Sequence, residues 1–305
     1  MSVRAPLLLL LVAGCAPEAA APSTDGGAAG GFVVSLVPAA PEDGRPAYAS
    51  VQGKVYDGPV PEAITWTVVE EGGGCRLLTP SVPFCASGCG GSAVCVEGDR
   101  CAPQPAPRDL GRVRVTGLGG SAFEMEPIGG NYQPAAGLVL PYPPFAEGDP
   151  VRVAAPGGPL GAFAIESRGI APLVFTDTPA PVAGQPLRLS WTPPGQDLGR
   201  IEVKLDVSHH GGARGKIECE VADTGSLELP AAQVTRLLGL GVAGFPTIVL
   251  GRVAVGTAMV PGGSISLRVV SAVERPVTIE GLRSCKADNQ CPAGKVCRSD
   301  LTCQP

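Results

Sequence analysis

Alternation of apolar and polar residues is the strongest pattern along this chain. Val51 to Val55, Ile64 to Val69 and Arg112 to Thr116 place apolar side chains at every second position, as strands with one wet face require. Phe123-Glu124-Met125-Glu126 and Val151-Arg152-Val153 repeat the pattern, and Ile201 to Val207 alternates almost without fault. Leu227 to Leu229, Thr247 to Val253 and Ser264 to Ser271 supply further strands, and order begins near Phe32. One segment breaks the period: Pro230 suits a first helical turn, Ala231 to Leu238 form a short helix, and Gly239 ends it. Trp66 lies within an alternating run and is expected to fill a sandwich core.

Gly and Pro are abundant, 43 and 33 of 305 residues, but they punctuate the short runs instead of clustering. The expected fold class is therefore all-β with many turns. The expected organisation is two β-sandwich, immunoglobulin-like domains over residues 32–172 and 173–283. A disulfide-rich insertion at 72–107 interrupts the first, and a small disulfide-rich module at 284–305 ends the chain. The strand Gln185 to Thr192, with Trp191 before Pro193-Pro194, resembles the one carrying the core Trp in fibronectin type III and related immunoglobulin-like domains.

The first residues carry Arg4 and then an apolar stretch from Ala5 to Val12, too short to span a bilayer as a helix. Val12-Ala13-Gly14 before Cys15 resembles the lipobox of bacterial lipoproteins. The resemblance implies that residues 1–14 are a signal peptide and that the Cys15 thiol becomes acylated at a new N-terminus. The resemblance implies a diacylglyceryl and an N-acyl group on Cys15, and two or more acyl chains hold a protein stably to a membrane, so this single cysteine suffices. Ala16-Pro17 follow, with no Asp at the next position. By resemblance to sorting in Gram-negative bacteria, that pattern favours the outer membrane, with the protein facing either periplasm or cell surface. Residues 15–31, rich in Ala, Pro, Gly, Ser and Thr, hold too few apolar side chains to fold and read as a tether.

Ten further cysteines follow: Cys75, Cys85, Cys89, Cys95, Cys101, Cys219, Cys285, Cys291, Cys297 and Cys303. An even number in an exported chain reads as disulfides. The spacings lack the paired Cys-x2-Cys knuckles that grip tetrahedral zinc. Cys85-x3-Cys89-x5-Cys95-x5-Cys101 and Cys285-x5-Cys291-x5-Cys297-x5-Cys303 look like two copies of one small knot. The hypothesis is first-to-third and second-to-fourth pairing in each, although sequence leaves three pairings open per set. Cys75 and Cys219 would then join the two domains. The tail has only Val296 and Leu301 for a core, so its order depends on cross-links worth roughly 3 kcal/mol each for loops of about this length.

Several segments together resemble exported, cysteine-rich lipoproteins of unknown function from predatory soil deltaproteobacteria. They are Cys75 to Leu78, Pro83-Phe84-Cys85, Val94-Cys95-Val96, Ser208 to Gly212, Ile217-Glu218-Cys219 and the tail Cys285 to Cys303. What the resemblance implies is limited to location and disulfides, because that family carries no established activity.

The formal charge of -5 leaves no basic stripe, which excludes nucleic acid as the expected partner. Both histidines, His209 and His210, are adjacent in Asp206-Val207-Ser208-His209-His210-Gly211-Gly212. On a strand, neighbours face opposite ways; a turn beginning at Ser208 would instead let Asp206, His209 and His210 converge on a metal. No serine lies in a nucleophile-elbow pattern, and the carboxylates stand singly or alternate along strands. Gly72 to Gly74, Gly117 to Gly120 and Gly262-Gly263 join strand to strand, so no helix N-terminus follows to hold phosphate. The expected role is accordingly non-catalytic and without cofactor: binding or support at the cell envelope, with an envelope protein or polysaccharide as partner. The alternative is a metal-dependent hydrolase, or a metal-capturing protein, built on Asp206, His209 and His210.

Overall fold

The computed structural model describes residues 28–39, 44–61, 64–82, 84–96 and 98–305. Cys15, the expected signal peptide and most of the expected tether lie outside the described residues. The N-terminal half runs β1 (Ala29–Val37), β2 (Tyr48–Tyr56), β3 (Thr65–Gly72), β4 (Cys75–Ser81), β5 (Ala93–Val96), β6 (Arg100–Pro103), β7 (Val113–Thr116), β8 (Phe123–Met125), β9 (Pro127–Ile128) and β10 (Asn131–Tyr132). Next come β11 (Pro150–Ala155), β12 (Phe163–Arg168), β13 (Leu187–Ser190), β14 (Arg200–Asp206), β15 (Lys216–Ala222) and β16 (Ser226–Leu229). The one α-helix among the described residues, α1 (Ala231–Gly239), precedes β17 (Thr247–Val260), β18 (Gly263–Pro276), β19 (Val296–Cys297) and β20 (Cys303–Gln304).

The chain is all-β. Ten strands form one sheet in the order β3-β4-β15-β14-β17-β18-β1-β2-β10-β9, and β12-β11-β7-β8 form a second sheet. The long hairpin β17–β18 is the spine of the larger sheet, with fourteen residues in each strand. Its even-numbered β17 residues point to one face. Ile248 and Leu250 belong to one hydrophobic core, and Ala254 to another. On β18, Ile265, Leu267 and Val269 serve the first core and Val273 the second. Both cores thus lie on the same face of one sheet. The four-stranded sheet roofs the first core through Val113, Val115, Val151, Val153 and Ile165. The second is roofed by the β13–β16 pair, by Val234 and Leu237 of α1, and by Phe175 and Trp191.

The expected division at 172/173 falls where the cores part, Ile170 lining one and Leu173 the other. The main sheet nevertheless crosses that division twice. β1 pairs in parallel with β18, Gly31 opposite Ser266 through Leu36 opposite Ser271. β4 pairs with β15, Leu78 opposite Lys216 through Cys75 opposite Cys219. The two cores are therefore joined through one shared sheet.

Three local expectations are corrected. The tether does not extend to residue 31: β1 begins at Ala29, and buried Ala28 already accepts a hydrogen bond from Ser264 N–H at 3.3 Å. The insertion does not begin at 72, because Cys75–Ser81 is a strand of the main sheet, extending unbroken through Pro80 beside edge strand β3. Trp66 lies in neither core; it sits half-buried on β3, with the Lys216 ammonium 4.0 Å from its ring centroid.

The cysteines join as Cys75–Cys219, Cys85–Cys95, Cys89–Cys101, Cys285–Cys297 and Cys291–Cys303. These are the pairs named by the repeat hypothesis.

Candidate functional site

The histidine turn follows directly from the end of β14. Asp206 closes the strand, and its Oδ1 accepts hydrogen bonds from Ser208 N–H at 2.8 Å and Ser208 Oγ at 3.1 Å. Buried Ser208 in turn accepts from Arg214 N–H at 3.0 Å. The carboxylate thus holds the turn together instead of facing a ligand. His210 takes a left-handed φ of 62°, which reverses the chain and brings its ring to 3.9 Å from that of His209, centroid to centroid. The opposite-facing geometry of strand neighbours is lost because the strand has already ended.

The tail module closes over this turn. Phe245 N–H donates to His209 O at 2.8 Å, and Gly244 N–H donates to Asp300 O at 2.8 Å. A Cβ on Gly211 would stand 2.3 Å from Gly244 N and 2.7 Å from Asp300 O, so only glycine permits the approach. Asp206, His209 and His210 do not form a three-ligand group. Among the described residues, the sets of three potential ligands within 4.8 Å are Cys85, Cys89, Cys101 and Cys285, Cys291, Cys303. Every one of those sulfurs is in a disulfide and offers no thiolate to a metal. The two-histidine metal centre is thus not assembled.

The face of the main sheet opposite the cores carries a groove of about 790 Å³. Its floor is made of small or branched apolar residues: Val249, Gly251 and Val253 on β17, and Val270 and Ala272 on β18. Gly251 lies opposite both Glu202 and Ala272, so three strands meet there with little side-chain bulk. Charged side chains of β14, β15 and β4 form one wall. One guanidinium nitrogen of Arg268 donates to both carboxylate oxygens of Glu202, at 2.8 and 2.7 Å. Lys216 holds Glu218 at 2.6 Å, and Arg200 holds Glu220 at 3.2 Å. Exposed Lys204, opposite Val249 and Glu218, makes no ion pair among the described residues. A groove with an apolar floor and a wall of both charge signs suits an extended polar chain more than a small apolar ligand.

A buried charge was missed from sequence. Arg252 and Asp223 have side chains only 2% and 1% exposed and form an ion pair. Arg252 also donates to Ala171 O at 3.0 Å, Pro172 O at 3.2 Å and Thr192 O at 2.7 Å. Asp223 accepts from the Trp191 indole at 2.7 Å. Arg252 lies opposite Ser271, whose Oγ accepts from Leu173 N–H at 2.9 Å. This polar seam separates the two cores and ties down the connection between them. Its sequence signal was an arginine at an inward position of an otherwise apolar strand.

Compared with known proteins, the chain matches no family model and no curated protein.

Proposed function

We propose that this chain is an outer-membrane-anchored lipoprotein with a non-catalytic binding or structural role at the cell envelope. The carrying observation is the sequence Val12-Ala13-Gly14-Cys15 ahead of ten cysteines that pair completely. Complete pairing belongs to an oxidising compartment, and a lone cysteine at the end of a short apolar stretch belongs to lipid attachment. The shared sheet supplies a rigid support, and the groove on its outer face is the surface offered to an envelope polysaccharide or an extended segment of an envelope protein. Glu202, Lys204, Glu218 and Arg76 present both donors and acceptors along it.

Fractionation of cells expressing the native chain and Cys15→Ser tests the anchor. The native protein is expected in the outer-membrane fraction and the detergent phase, and the variant in the aqueous phase. Equal partitioning of the two would refute lipid attachment at Cys15.

A further inference from the structure

The anchor reading has a geometric consequence for one end of the main sheet. The described chain starts at Ala28, packed against Gly263 in the turn of the β17–β18 hairpin. Twelve residues lie between Cys15 and Ala28, and the thirteen steps of a fully extended connection reach at most about 45 Å. Lipid on Cys15 would therefore be tied to the sheet at this end, through the strand that begins beside the β17–β18 turn.

Two hairpin turns project at the same end. One is the β17–β18 turn, and the other is Gly129-Gly130, joining β9 to β10. The strand register places Ile128 opposite Asn131, then Lys54, Gly31, Ser266 and Thr257 across successive strands of the outer face. Each hairpin carries a large apolar side chain in the open: Ile128 is 64% exposed and Met259 is 79% exposed. Lys54 stands between them, its ammonium 5.1 Å from the Tyr56 ring centroid. Among the described residues, two carboxylates close in sequence to these tips are paired, Glu126 with Arg112 at 2.7 Å and Asp57 with Arg108 at 3.3 Å. Exposed apolar tips, a cation and an aromatic ring at an interface are the chemistry that rests on phospholipid headgroups.

We propose that this end of the sheet seats on the bilayer surface, with Ile128 and Met259 entering the headgroup region and Lys54 facing lipid phosphate. The proposal rests on the lipid anchor. It adds an orientation: the strands stand on the membrane, and the outer-face groove stays accessible from the side.

Photo-crosslinking of the lipidated full-length protein tests it, in vesicles of phosphatidylethanolamine and phosphatidylglycerol. p-Benzoylphenylalanine replaces Ile128, Met259 or, as the control, Tyr48, which is 43% exposed at the other end of β2. Along the strand direction that control lies about 20 Å from the row of Ile128 and about 26 Å from that of Met259. Lipid adducts are expected at the first two positions at no less than five times the yield at the third. Equal yields while the protein remains vesicle-bound would overturn the seating but leave the anchor standing, as would adducts to a second copy of the chain. Failure of the lipidated protein to associate with vesicles would instead remove the anchor and the seating together.

Discussion

The two cores share a sheet face but are closed by different means. In the first, a four-stranded sheet covers an apolar interior whose one buried phenol, that of Tyr132, accepts from Leu110 N–H at 2.6 Å. In the second, a two-stranded pair, a short helix and a connecting segment do the same work with less regular structure. The deficit is met by a cross-link inside the core, Cys75–Cys219, and by the Arg252–Asp223 seam at its border. Where a second sheet is available, apolar burial is enough. Where the roof is pieced together from irregular segments, covalent and charged ties hold it in register.

Removing the cross-link should separate the two cores most sharply. Cys75→Ala with Cys219→Ala opens a loop spanning 144 residues, worth about 5 kcal/mol in the chain-entropy model. Denaturant unfolding should show the loss in the second core, followed by the fluorescence of Trp191. A loss below about 1 kcal/mol would mean that the patchwork roof holds unaided.

Next in size is the seam. Arg252→Ala leaves Asp223 buried with only the Trp191 indole as partner, and the expected cost is about 3–5 kcal/mol. Arg252→Met, which restores volume but not charge, should cost about as much while Asp223 stays, and less when combined with Asp223→Leu. A midpoint unchanged in all three variants would show that the seam does not bind the connection.

The smallest effect belongs to the first core and appears only at high pH. Burial is the main cause raising the Tyr132 phenol above its ordinary value of 10.0; the hydrogen bond from Leu110 lowers it, and nearby Asp109 raises it further. Above about pH 10 the unfolded chain releases this proton while the folded chain retains it, so stability falls with rising pH across that window. Below it, Tyr132 contributes no pH dependence. Tyr132→Phe should flatten the alkaline decline and cost about 1 kcal/mol at neutral pH through the lost hydrogen bond. An unaltered alkaline slope would exclude Tyr132 as its source.

Strands with one wet face were legible in the sequence because a period of two is a local property; β2, β7 and β14 fall where the alternation puts them. β1 was hidden by the Gly30-Gly31 pair at its start, and β4 by Cys75 and Pro80, residues that read as loop. The sharing of one sheet was hidden for a deeper reason. It rests on the parallel pairing of residues 31–36 with 266–271, a contact that no local pattern encodes. The histidine turn was read as either strand or turn, and the left-handed backbone of a non-glycine residue, His210, decided the outcome. Arg252 went unread although parity carried its signal: with Ile248 and Leu250 it points inward, and a buried arginine requires an acid partner.

Intact-mass analysis of the native protein, before and after alkylation without reductant, tests the anchored and fully oxidised chain most directly. The expected mass is that of residues 15–305 carrying a diacylglyceryl and an N-acyl group, less ten hydrogens for five disulfides, with no alkylated thiol. A chain still beginning at Met1, a bare Cys15, or alkylation at any of the ten other cysteines would contradict it.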